Sequence, residues 1–200
     1  MGPKAIDRML ALEPPREELD SLKAVWKDFK WRRLARGHRD PCIAFTADAG
    51  DLKEAIIRAC DSRGEDGKLF FHQGRVWQQN RDEFSRVLRK KAVRKSLTKA
   101  KDFHEVWKVC QNIGGTTHGI GAITIYDVCA RLCAYFEYPA DRVYLHGGVL
   151  DGVRAVGIDP KGKVWVERAE LPKCLRKHEN LDEVEDFLCG YRVLIERVMS

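Results

Sequence analysis

The sequence predicts a mainly α protein: a multi-helix domain with a glycine hairpin between two of its helices and a minor β-hairpin near residues 159–168. Three observations carry this. Apolar residues recur every three or four positions along most segments, the spacing of one helical face. The β-prone run of note is Val164-Trp165-Val166, just after the tight turn Asp159-Pro160-Lys161-Gly162-Lys163. Gly119-Ile120-Gly121 separates helical patterns over 102–112 and 122–138.

The elements follow in order. Residues 1–37 read as helix broken at Pro14-Pro15, after which Leu19, Leu22, Val25, Trp26 and Phe29 share a face. The segment ends in Trp31-Arg32-Arg33 and further arginines to Arg39, either a helix end with solvated charges or an aromatic among cations fit to meet a base or phosphate. Asp40-Pro41 is a stop, and Asp51-Leu52 opens a helix through about Arg63 with Leu52, Ala55, Ile56 and Ala59 inward. Residues 68–76 fit a short strand or a buried helix start, with His72, Gln73 and Arg75 as polar groups for a pocket wall or as structural side chains. Phe103, Val106, Trp107 and Cys110 face the core before the hairpin; Ile120, Ile123, Val128, Leu132 and Phe136 do so after it. Pro139 ends that helix, residues 149–156 form a short one, and the last opens at Leu181.

Two hundred residues fit one compact domain over 1–200, or a two-lobed one with a helical part at 1–80 and the hairpin part at 81–200. Apolar residues at 44% and charged residues at 33% give a soluble chain with a real core. No apolar run reaches the roughly 18–20 residues that span a bilayer, so no membrane partner is expected. The start, Met1-Gly2-Pro3-Lys4, lacks a signal peptide's apolar stretch, and the expected location is cytoplasmic or nucleoid-associated. Seven cysteines without a Cys-x-x-Cys pair read as reduced, mostly buried thiols, and no zinc pattern is present. Phosphate-loop and serine-elbow patterns are absent too, which disfavours nucleotide hydrolysis and serine-hydrolase chemistry.

Charge is only mildly basic overall, +6 with a pI near 8.9, but it is unevenly placed. Residues 81–101 hold nine lysines or arginines, Arg86, Lys90, Lys91, Arg94 and Lys95 among them, against Asp82 and Glu83 alone. A solvated helix ordinarily mixes both signs, so this face points to an anionic polymer. The hairpin points the same way. Glycines let the backbone turn tightly and approach a ligand, and the amides opening the next helix sit on its positive dipole end, a phosphate site.

Residues 103–137 resemble a helix-hairpin-helix motif, the sequence-independent DNA-binding unit of repair and recombination proteins. The likeness rests on Gly119-Ile120-Gly121, Thr124 and the apolar positions Ile113 and Val128, with Thr117 and His118 where the motif has a hydrophobic residue and proline. It implies that the hairpin amides hold a phosphate, with a monovalent cation as the one cofactor and nucleic acid, foremost DNA, as partner. Thr117, His118, Gly119, Ile120, Gly121 and Thr124 are then the contact residues. More loosely, residues 80–160 look like the helix-hairpin-helix DNA glycosylases. His146 stands about where that family has its catalytic aspartate, and Ile123 where bifunctional members carry their lysine, which leaves no Schiff-base lyase.

Base excision without that lysine needs a carboxylate and a pocket that stacks an extruded base. His146, Asp151 and Tyr144 are the expected catalytic set, with Asp127 and Asp141 as other acids, Tyr126 and Trp77 as other stacking groups, and Asp186 as a partner for His146. The expected function is a DNA-binding protein of this type, acting as a monofunctional glycosylase-like enzyme. The alternatives are a non-catalytic DNA- or RNA-binding module and an enzyme on a small anionic metabolite.

Overall fold

The computed structural model describes residues 19–36 and 40–200. Its helices are α1 (Leu22–Arg36), α2 (Cys42–Ala47), α3 (Leu52–Asp61), α4 (Gln78–Leu88), α5 (Lys91–Lys99), α6 (Phe103–Gly114), α7 (Ala122–Tyr135), α8 (Gly147–Ala155), α9 (Lys173–Arg176) and α10 (Leu181–Met199). Short 3-10 turns lie at Phe71–Arg75 and Arg168–Glu170. Strands β1 (Arg142–Tyr144) and β2 (Trp165–Glu167) pair antiparallel, with Val143 opposite Val166. The protein is mainly helical with a minor β-pair, as the periodicity predicts. One strand comes from the 159–168 stretch, and its partner lies upstream of α8. The ambiguous residues 68–76 resolve as a single antiparallel bridge of Leu69 with Arg63 and then a 3-10 turn behind the buried Phe70. The break at Pro14-Pro15, and the arginine cluster's end at His38 and Arg39, lie outside the described residues.

The chain divides into two compact units, Asp40–Ala140 and the flanking Met1–Arg39 with Asp141–Ser200. The sequence boundary at residue 80 falls inside the first of these.

In the Asp40–Ala140 unit, α7 is the hub. Residues 124–133 are all buried, and α2, α3 and α6 pack on this helix. Ile125, Val128, Cys129 and Leu132 supply its apolar core contacts, and the buried Asp127 and Arg131 on the same helix are satisfied internally. Asp51 and Asp102 cap α3 and α6, each carboxylate accepting the amide three residues on (2.9 and 2.8 Å). The thiols described are free, and all but the half-buried Cys174 are buried. Burial and the neighbouring Asp40 push the Cys42 thiol up to about 12, partly opposed by Arg131.

In the flanking unit, α1 and α10 join through rings. Trp26 meets Phe187 edge-on at 4.9 Å and Phe29 meets Tyr191 at 5.3 Å. Arg33 of α1 bonds Asp186 and lies 3.9 Å from both Asp182 and Glu183, so it serves this interface, while Arg32 turns inward to Asp28 of its own helix at 2.8 Å. Helix α8 lies against α10 at Gly152, where an added Cβ would run into the Leu188 carbonyl. That obstacle is backbone and cannot swing away. Gly152→Ala is therefore expected to cost about 3 kcal/mol through overpacking, read as a lower urea midpoint with an unchanged slope.

Candidate nucleic-acid interface

The hairpin between α6 and α7 is built from backbone geometry. At the end of α6 the Thr117 hydroxyl donates to the Ile113 carbonyl at 2.8 Å, and the Ile120 amide donates to the Thr117 carbonyl at 3.2 Å. Gly119 then turns the chain at φ +73°, in the left-handed region, and the Asn80 side chain of α4 occupies the place a Cβ would take. The buried Ile120 plugs the hairpin into the core, while His118, Gly119 and Gly121 stay exposed. Gly114 lets α6 and α7 close together, since a Cβ there would come within 2.5 Å of Ile125 Cγ1.

Helix α7 opens at Gly121, which has extended backbone and no side chain to cap the first turn. Nothing lies within 4 Å of where its Cβ would be. The first-turn amides thus start a long helix bare, on its positive end. Thr124, expected as a contact residue, is buried with its hydroxyl unpartnered, and the exposed residues at the helix start are Gly121 and Ala122.

Beside the hairpin the 3-10 turn Phe71–Arg75 is fixed from beneath. Gln73 Nε2 donates to Asp127 Oδ2 of α7 at 2.6 Å, and His72 Nδ1 lies 3.6 Å from the same oxygen. The Arg131 guanidinium, fully buried, donates to Asp40 Oδ2 (2.7 Å), the Ala59 carbonyl (2.7 Å) and Ser62 Oγ (2.6 Å), with Asp127 4.0 Å from its remaining nitrogen. Burial alone would lower its pKa; Asp40 and Asp127 reverse that and hold the cation above its ordinary range. Asp127 and the polar groups beside it, expected as pocket candidates, therefore act as a brace. Arg81 of α4 adds to it, donating to the Val76 carbonyl at 2.5 Å.

That use of Arg81 corrects the cationic face: one of its nine charges is buried as a structural donor. The run also breaks at Arg89-Lys90 into two helices. Arg86 is held by Glu83 (2.6 Å), and half-buried Arg94 donates to the Arg89 carbonyl (3.0 Å). Lys90, Lys91 and Lys95 are exposed and form no ion pair among the described residues. These cations lie away from the hairpin. Helix α4 starts where Asn80 meets Gly119 and its 11 residues carry the chain about 16 Å along. The residue after α5, Ala100, accepts from Tyr138 beyond the far end of α7 (3.0 Å).

The expected catalytic set does not converge. His146 is buried, with Nε2 3.1 Å from the buried Glu185 Oε1, while Asp186 goes to Arg33. Tyr144 is buried in β1 beside the Trp165 ring, 6.4 Å between centroids. Asp151 is exposed, paired with Arg154 at 3.0 Å, on a cleft of about 460 Å³ that Arg192 and Glu196 also line and His146 does not. Asp141 pairs with Arg142 at 2.7 Å. Of the stacking groups, Tyr126 is a core residue and Trp77 is open to solvent.

Fold and site together define a helical protein whose candidate surface is a bare helix start flanked by a braced turn and a cationic helix pair. No protein-family model, curated protein or solved structure matches the chain. No helix among the described residues is long and apolar enough to cross a membrane.

Arg131→Ala would leave two carboxylates buried without their cation. It is expected to cost about 3–5 kcal/mol, measured by chemical denaturation of the full chain.

Proposed function

We propose that this chain is a nucleic-acid-binding module that grips DNA, with the hairpin as the phosphate clamp and α4–α5 as a second, electrostatic contact. The observation that carries the reading is the exposed, side-chain-free start of α7 at Gly121, set by the left-handed turn at Gly119. The likeness of residues 103–137 to a helix-hairpin-helix unit supports it. So does the free charge of Lys90, Lys91 and Lys95. The two contacts are separated by about the length of α4, roughly 16 Å, which corresponds to about five phosphates of one strand at 3.4 Å each. A polymer bridges that span and a single small anion does not. With His146 and Tyr144 buried and Asp151 facing solvent, binding rather than base excision is the function the geometry favours.

Gly121→Asp separates function from fold. The backbone there is extended and the space is open, so the carboxylate can cap the first turn. The expected outcome is a melting temperature that is unchanged or slightly raised, with DNA affinity reduced about ten-fold or more, as the new anion takes the phosphate's place. Fluorescence anisotropy with labelled oligonucleotides at about 50 mM salt reads the affinity, where phosphate contacts are strongest. Unchanged affinity in this variant sinks the hairpin clamp. Absence of DNA and RNA binding at low salt moves the reading to a small anionic ligand, and tighter binding of RNA than DNA overturns the choice of DNA.

Charge reversal at Lys90, Lys91 and Arg94 together is expected to weaken binding to every sequence alike. The plot of log affinity against log salt should lose about 0.9 in slope per phosphate contact removed, in a salt titration of parent and variant.

A further inference from the structure

Trp77 is 71% exposed and Phe71 61%, at the two ends of the braced turn beside the hairpin. A single exposed apolar residue needs no explanation, but the backbone of this tryptophan is held in place. It begins α4, its carbonyl accepts the Asn80 amide at 3.0 Å, and the next carbonyl, that of Val76, is tied to the buried Arg81. Asn80, one turn further on, is the residue seated on Gly119. The backbone that carries the indole is thus fixed about one helical turn, roughly 5 Å along the axis, from the contact of Asn80 with Gly119. Exposed Arg75 adds positive charge on the same turn.

We infer that the strand gripped at the hairpin is unpaired and that Trp77 stacks on the face of one of its bases. The inference rests on the hairpin reading above and names the form of nucleic acid. Base faces in an intact duplex are covered by their neighbours, so an exposed indole beside a phosphate clamp finds only a groove edge there. An unpaired nucleotide presents a free face, and stacking on it is tolerant of sequence. Charge complementarity selects this occupant over an apolar segment of a protein, because Arg75 and the bare helix start sit beside the ring.

The test compares Trp77→Ala with the parent on a single-stranded DNA of about 15 nucleotides, its blunt duplex, and the duplex with a central unpaired gap. The parent is expected to prefer the single-stranded and gapped probes. Trp77→Ala should lose about ten-fold on those two and stay within about two-fold on the blunt duplex, with the salt dependence unchanged, while Trp77→Phe keeps most of the affinity. Because the ring is exposed, the melting temperature should hold. As a second readout, single strand should quench tryptophan emission in the parent more than in Trp77→Phe. Equal losses on all three probes, or no loss on any, overturn the inference, the latter assigning the patch to something other than a base. Sensitivity to Gly121→Asp without sensitivity to Trp77→Ala sinks the stacking alone, and insensitivity to Gly121→Asp sinks the clamp itself.

Discussion

The Asp40–Ala140 unit depends on one buried cation. Arg131 satisfies Asp40 at the start of α2, the carbonyl and hydroxyl that close α3, and the field of Asp127 one turn earlier on its own helix. A guanidinium suits this task because its planar donors reach several acceptors at once and it does not lose its proton. Buried charge of this kind is an unreliable source of net stability, yet its loss is severe, so it acts as a constraint more than as glue. Through Asp127 and Gln73 the constraint extends to the 3-10 turn and fixes the segment that presents Trp77.

The hairpin is the complementary case, where the chain withholds side chains. Three glycines do three different jobs there: Gly114 admits Ile125, Gly119 takes the left-handed turn, and Gly121 keeps the helix start bare. The buried Ile120 between the last two locks the loop, so the openness is structural and not looseness. Helices α3 and α6 show the other choice, each closed by an aspartate that accepts its own first-turn amide. In the proposed clamp, a surface built from backbone amides is ordered before any ligand arrives, which limits the ordering cost of binding.

Much of this was legible in the sequence. The 3–4 residue spacing placed the long helices, Asp51 and Asp102 announced two starts, and Gly119-Ile120-Gly121 marked the hairpin. What the pattern could not show was which charges face inward. Arg81 and Arg131 sit in helices where arginine ordinarily points to water; carbonyls of the preceding turn make Arg81 internal, and acceptors 69 to 91 positions away make Arg131 so. The same blindness misplaced His146, whose partner Glu185 lies one residue from the acid expected on sequence grounds, a difference of about 100° around α10. The break at Arg89-Lys90 carries no glycine or proline, and residues 68–76 fit two periods equally, so neither had a local signal.

The division of the chain has a consequence for how the protein is made. Residues 40–140 form a contiguous unit, whereas the flanking unit joins segments on both sides of it: Arg33 meets Asp186, 153 positions further on. At ribosomal rates of about 5–20 residues per second, α1 waits on the order of ten seconds for α10 to be synthesised. During that wait Trp26 and Phe29 have no Phe187 or Tyr191 to pack against. The inserted unit can close in the meantime, so the nascent chain passes through a stage in which the α6–α7 hairpin is finished while its aromatic seam is still open. That stage is where a holdase chaperone, or a second nascent chain, would find it.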